Sequence, residues 1–493
     1  MYRLTVLSIL IPLLFGAFLL VWRPENRKVR NIYTMTAVLI SAVFVLGTVV
    51  SAWLLGSDAA AFHVFSLGHM LELAFRPDGP SLVFGCIIGV LWPITTLYAF
   101  SYMSHEGKEN RFFGFFIMTF GIVAGIAFSA NFFTMYLFYE LMTLVTLPLV
   151  MHQMDGKARS AGKKYILYSM SGAALIFIVL VFLLNYGSTL DFRMGGVLDP
   201  AKIRGHETAL QMVFVLGFFG FGTKAAIFPL HGWLPSASVA PTPVTALLHA
   251  VAVVKSGAFA VMRLIYFSFG VGFLSGTWAQ YTAISVSAFT IAYGSIMALR
   301  MPHLKRRLAY STVSNLSYIL LAFSLMSVQG LTGGLLHMIF HAVIKITLFF
   351  CAGAILHCTE YEYIDEMEGL CKQMPVTCGV FILSSLALIG VPPLCGFMSK
   401  WVIGTAAAGL GTWAGYAGAA ALIVSAVLTT LYMMTAAIRF FFPLKNVLPS
   451  HCGRREADWQ MLLPLVLLSV LIIILSLFSG RLINLLLSIG GAA

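Results

Sequence analysis

The sequence predicts an all-α polytopic membrane protein of about fourteen transmembrane helices, and three observations carry the prediction. Charged residues make up 10% of the 493-residue chain and hydrophobic residues 60%, with a mean hydropathy of +0.93; soluble domains carry roughly 25% charged residues. Apolar runs near the ~20 residues that cross a ~30 Å hydrocarbon core recur from Leu4 to Ser479. Two of the runs are interrupted by proline, which removes a backbone donor and would not be tolerated in a plain lipid-facing helix. A soluble protein is excluded, and there is no room for a sizeable domain outside the membrane.

Spans are expected to start near Leu4, Asn31, Ser81, Phe112, Asn131, Lys164 and Ala209, and then near Pro241, Trp278, Lys305, Leu331, Met374, Trp413 and Met461. The first run, Leu4 to Trp22, is followed by Arg23, Arg27, Lys28 and Arg30. That flank marks an uncleaved first helix rather than a signal peptide. With fourteen spans, the basic clusters Arg27 to Arg30, Lys157 to Lys164, Arg300 to Arg307 and Arg439 to Arg455 share one side. The positive-inside rule makes that side cytoplasmic, and both termini then face away from it. On the opposite side the loop from Asn185 to Glu207 offsets Arg193, Lys202 and Arg204 with Asp191, Asp199 and Glu207. Topology therefore accounts for the net charge of +12, with no nucleic-acid partner needed. The seven cysteines, at 86, 351, 358, 371, 378, 395 and 452, form no C-x-x-C pair and no iron–sulfur or zinc spacing. No cofactor or metal is expected, and most are read as small core residues.

The interrupted spans are Phe228-Pro229-Leu230-His231-Gly232-Trp233 and Val391-Pro392-Pro393-Leu394-Cys395-Gly396-Phe397. Aligned on Pro229 and Pro393, PLHGW and PLCGF agree at three of five positions. The two lie about five spans apart, an odd number, so they run in opposite directions. Discontinuous helices at equivalent places in an inverted repeat are where transporters put their ion sites.

An ionisable group at the bilayer centre costs roughly 2.5 to 3.5 kcal/mol on insertion scales. Of the eighteen acidic residues, all but Glu140 can be assigned to loops or helix ends, whereas Glu140 sits in YLFYELMTLV with an apolar turn on either side. It needs a cationic partner or a proton. Among the thirty Lys and Arg residues, Lys224, Lys255, Lys345 and Lys400 lie at comparable depth, so cations outnumber anions there four to one. Only one lysine can be neutralised by Glu140. Lysines without a partner release protons easily, because desolvation and like-charge repulsion favour the neutral amine. His337, His341 and Lys345 are spaced i, i+4, i+8 and so line one helix face over about 12 Å, a relay geometry. Plainer readings stand beside these: a lysine bonded to carbonyls of a broken helix, and the histidine pair as interhelical glue. His249 lies six residues before Lys255 on the same predicted helix and fits either role, whereas His231 borders a break and caps it. Arg263 is expected at the outer interface and Glu72 in a solvated external hairpin.

Together these strings resemble the antiporter-like subunit family shared by respiratory complex I, membrane-bound hydrogenases, formate hydrogenlyases and Mrp-type cation/proton antiporters. KAAIFPLHGWLPSASVAPTPVTALLHAVAVVKSG is the most specific stretch. The resemblance implies two inverted five-helix repeats, the fourth to eighth and ninth to thirteenth helices. It divides the chain into residues 1–111 with three helices, 112–270 and 271–442 as two proton half-channels, and 443–493 with the last span. It also implies that Glu140, Lys224, Lys255 and Lys400 hold the family's ionisable positions on the fifth, seventh, eighth and twelfth helices, with His337, His341 and Lys345 on the eleventh. Ser236 and Ser238 stand where many relatives carry an acidic residue and a histidine. No long lateral helix follows the last span, and Lys400 in GFMSKW leans towards the hydrogenase or Mrp-like branches.

The expected function is proton translocation along the Glu/Lys/His axis, as a subunit of a membrane-bound hydrogenase or complex I-like assembly in a prokaryotic cell membrane. Implied partners are other membrane subunits, homologous antiporter-like subunits among them, and peripheral redox subunits. With no dinucleotide, P-loop, haem or iron–sulfur motif, the chain performs no redox chemistry of its own. Two alternatives remain open at this point: a sodium/proton antiporter subunit without a redox partner, and a solute carrier acting alone, with the broken helices forming a substrate pocket.

Overall fold

The computed structural model describes residues 2–55, 61–68, 70–442 and 456–491. Cys452 and the cluster beyond Arg439 as far as Arg455 lie outside the described residues. Helices α1 (Tyr2–Trp22) and α2 (Arg27–Leu55) lead to an antiparallel hairpin of β1 (Phe62–Leu67) and β2 (Leu71–Phe75). Then come α3 (Gly79–Tyr102), α4 (Glu109–Ala127), α5 (Phe132–Val150) and α6 (Gly156–Tyr186). A short α7 (Pro200–Ile203) precedes α8 (Glu207–Lys224), which stops at a turn before the short α9 (Trp233–Ser236). Next are α10 (Thr242–Ala250), α11 (Val253–Met262), a π-helical turn Arg263–Phe269, the short α12 (Val271–Leu274), α13 (Trp278–Arg300) and α14 (Leu304–Ser324). The long α15 (Val328–Thr359) is followed by α16 (Pro375–Ile389), α17 (Cys395–Gly409), α18 (Trp413–Phe441), α19 (Trp459–Leu477) and α20 (Ser479–Gly491).

Among the described residues, eleven helical segments are long and apolar enough to cross a membrane. Three further crossings, by α8, by the polar α14, and by the broken pair α16 and α17, complete the expected fourteen. Helix starts follow local chemistry. The side chains of Asp78, Asn131, Asp155, Ser327 and Thr412 each accept a hydrogen bond from a backbone N–H three residues on, satisfying donors that a helix start leaves free.

Both expected breaks are present. Residues 225–232 interrupt the chain after α8 and residues 390–394 separate α16 from α17; Phe228-Pro229 and Pro392-Pro393 are cis peptides. A third break was not foreseen. His249 and Lys255 do not share one helix, because Val251 and Ala252 leave helical geometry between α10 and α11 and the Ala252 N–H bonds back to the Leu247 carbonyl. Helix α15 is the spine: it packs against α3, α10, α14, α16, α17, α19 and α20, so a polar side chain on it can reach several neighbours.

Candidate functional site

Beginning at the first repeat, Lys224 is the last residue of α8 and is 1% exposed. Its ammonium donates to the Tyr139 carbonyl of α5 and lies 3.5 Å from the centroid of the Tyr139 ring, a cation–π contact in a desolvated place. The Tyr139 hydroxyl donates in turn to the Phe221 carbonyl at 3.1 Å, so α5 and α8 are tied twice. Glu140 follows Tyr139 in sequence, yet it makes no ion pair with Lys224 within 4.0 Å. Nor is Glu140 enclosed: it is half-buried, with Oε1 buried and without a hydrogen-bond partner. Glu140 and the Lys224 ammonium are therefore not in direct contact, and a backbone carbonyl holds the lysine.

Helix α11 packs directly against the end of α8. Gly257 makes this possible, since a Cβ there would lie 2.5 Å from the Ala225 backbone nitrogen. Two residues earlier, Lys255 is fully buried and its Nζ lies 2.8 Å from Nδ1 of His341 on α15. One of these nitrogens must donate and the other accept, so passing a single proton between them exchanges their roles.

His341 stands one turn from His337, with ring centroids 5.8 Å apart. His337 Nδ1 is 2.9 Å from the Ser399 hydroxyl on α17, and Tyr318 lies on its other side at 5.3 Å between rings. The next residue, Lys400, donates to the Leu388 and Ile389 carbonyls at 2.8 and 2.9 Å and sits 5.4 Å from the Tyr318 ring. Lys400 is half-buried. Those two carbonyls are at the end of α16, where no further turn can satisfy them, so the lysine both closes the break and ends the row. Lys345 turns away from His341 and donates instead to the Leu308 carbonyl at 3.1 Å and to the Ser311 hydroxyl, both on α14. His249 is fully buried against Phe349, at 4.8 Å between rings, and neither ring nitrogen has a hydrogen-bond partner.

The three prolines behave differently from the charged groups. Pro229 follows the end of α8 by five residues, while Pro392 and Pro393 lie between α16 and α17; having no N–H, none of them can donate a hydrogen bond to the row.

Sequence reasoning missed several groups. Lys305 is 7% exposed and donates to the Ala240 carbonyl at 3.3 Å, a further buried lysine that the sequence reading did not single out. The hydroxyls of Ser295, Ser314, Ser425 and Tyr318 form one bonded cluster joining α13, α14 and α18. A usable signal existed: the run Ser311, Thr312, Ser314, Asn315, Ser317 makes α14 too polar for a lipid-facing helix. Arg263, expected at the outer interface, is enclosed by the protein. It is fully buried, bonded through both terminal nitrogens to Asp78 at 2.6 Å and stacked near Phe267 at 4.4 Å. Asp78, assigned to a helix end, is thus also part of the interior. Glu72 does lie in a hairpin, where its carboxylate meets His63 at 2.6 Å. At the α8 break the His231 carbonyl accepts from the Leu234 N–H, and its ring packs on Tyr293.

Comparison with known proteins gives this arrangement a setting. Residues 129–429 match the family described as NADH:quinone oxidoreductase/Mrp antiporter, TM. The chain is 30% identical over 438 residues to NADH-quinone oxidoreductase subunit N of Desulforudis audaxviator, covering 83% of this chain and 84% of that one. It is 33% identical over 348 residues to hydrogenase-4 component B of Escherichia coli, covering 67% of this chain but 50% of the relative's length. In fold it is similar to a chain of the membrane-bound sulfane sulfur reductase, an archaeal respiratory membrane complex (TM-score 0.86, 22% identity, 99% of this chain and 97% of that one). A chain of the Mrp complex from Dietzia sp. DQ12-45-1b gives a TM-score of 0.84 at 21% identity, again over 99% and 97%. With its family match spanning more than half of its length, the chain belongs to the NADH:quinone oxidoreductase/Mrp antiporter family of multi-pass membrane subunits.

Proposed function

We propose that this chain is the proton-translocating antiporter-like subunit of a multisubunit energy-converting membrane complex, of the membrane-bound hydrogenase or complex I kind. The observation that carries the reading is the buried Lys255–His341 contact at 2.8 Å, which joins α11 to α15 inside the bundle. On this reading the chain divides into residues 1–111, two half-channels at 112–270 and 271–442, and a last segment 443–493. Protons are held at Lys224 by the Tyr139 carbonyl and the charge of Glu140. They pass to Lys255, across to His341 and His337, and leave past Ser399 towards Lys400. Lys345 and His249 form a side branch. Both ring nitrogens of His249 are free of protein partners. Water carries the proton wherever two groups do not touch. Moving one charge against 100 mV costs about 2.3 kcal/mol, which is within the range of altering one charge pair in a low dielectric. We place the chain in a prokaryotic cell membrane with both termini on the non-cytoplasmic side, on the distribution of the basic clusters.

Lys224→Ala is expected to abolish coupled pumping by the complex reconstituted in vesicles; unchanged pumping would sink the assignment. A second reading, an Mrp-type sodium/proton antiporter component without a redox partner, is favoured by the likeness to the Mrp complex chain and by 32% identity to a probable K(+)/H(+) antiporter protein of Rhizobium meliloti. Sodium-dependent proton flux from a complex purified without iron–sulfur subunits would select it.

A further inference from the structure

An apolar slot of about 380 Å³ opens between α2, α3, α15, α19 and α20. Leu82, Cys86 and Val90 of α3 line one wall; Leu482, Leu486 and Ile489 of α20 line another. The α20 residues recur at i, i+4 and i+7, the pattern of a helix that lies in the membrane interface with its apolar face down. At one end the slot shares Trp53, Leu82 and Ile489 with a second pocket of about 470 Å³, and this one is polar. Its walls include Arg76, Arg193 and Ser488.

The two pockets divide as a lipid divides. We propose that they form a binding site for one anionic phospholipid, with an acyl chain in the slot and the phosphate between Arg76 and Arg193. Arg76 uses one N–H on the Phe192 carbonyl at 2.6 Å and has others to give. Arg193 is exposed on the pocket wall. Asp78 also lines the polar pocket, but both of its oxygens are taken by Arg263, so the free charge facing a headgroup is positive. Trp53 sits at the junction of the two pockets, where tryptophan belongs at the boundary between hydrocarbon and headgroups.

From Leu82 to Leu91 the wall of the slot runs along α3 for roughly 13 Å at ~1.5 Å per residue. Its lining, chiefly leucine, isoleucine and valine side chains, suits a hydrocarbon chain.

The test uses the full chain in its purified membrane complex, passed through nanodiscs of equal parts phosphatidylglycerol and phosphatidylethanolamine, with the retained lipids read by native mass spectrometry. Cys86→Trp fills the slot from an exposed position and leaves the core intact. Wild type should retain phosphatidylglycerol in preference, and Cys86→Trp one lipid fewer. Arg193→Gln should keep a lipid but lower the preference about fivefold, the factor for about one charge facing an anionic lipid. Equal retention by wild type and Cys86→Trp, an unchanged preference in Arg193→Gln, or a cross-link from Cys86 to another protein of the complex would each overturn the proposal.

Discussion

At the scale of single residues, the cost of burying charge decides where each ionisable group can sit. Arg263 and Asp78 show the constraint most plainly, as the arginine is fully buried and both members are bonded twice. Burial by itself raises the Asp78 carboxyl, but the charge and hydrogen bonds of Arg263 outweigh that and hold it below its ordinary range. A lowered carboxyl contributes stability that is complete above the ordinary aspartate range and is lost as pH falls through the lowered value. Thermal unfolding in detergent should therefore show an acid limb that Asp78→Asn removes. Arg263→Ala should cost about 3 to 5 kcal/mol, because it leaves a buried carboxylate without a partner. A variant that melts with wild type at neutral pH would show that the pair is bypassed. The pairing itself was hidden in the sequence: the two residues are far apart in the chain, and Asp78 reads as an ordinary helix cap.

At the scale of elements, the broken helices are places where backbone carbonyls lose their partners and side chains take over. Helix α16 ends at Gly390, whose φ of 87° only glycine adopts without strain. The N–H groups of Gly390 and Val391 both return to the Leu386 carbonyl, which leaves Leu388 and Ile389 to Lys400. Lys400→Met should free those carbonyls and speed hydrogen exchange through residues 386–395, while Lys400→Arg should restore protection. Exchange unaltered in the methionine variant would mean that the break holds without the lysine. Two breaks were legible because proline marks them. The third, between α10 and α11, was not: HAVAVVKSG holds no proline, and its only glycine, Gly257, lies inside α11. There, tertiary packing around fully buried residues overrides local preference. The polar character of α14 was visible as a serine-rich run, but its meaning needed the positions of Lys345, Ser425 and Tyr318.

At the scale of the whole molecule, fourteen crossings were readable from hydropathy, since a bilayer imposes length and internal hydrogen bonding on every segment, whereas the central place of α15 was not. Which buried groups meet was not readable, because spacing along one helix says nothing about its neighbours. His337, His341 and Lys345 do share a face of α15, yet only the histidines join the row that runs from α11 to α17. Lys345 is drawn off to α14. What results is a line of groups crossing the bundle from one broken helix to another, with direct contact at Lys255 and His341. The proposed proton path depends on that contact. Proton uptake by proteoliposomes containing the purified complex, followed with a pH-sensitive dye, tests it in the Lys255→Met variant. The substitution keeps most of the length of the side chain and removes the exchangeable proton. A fall of about a hundredfold or more, the scale of losing a positioned acid–base group, is predicted; uptake at the wild-type rate by a fully assembled complex would contradict it.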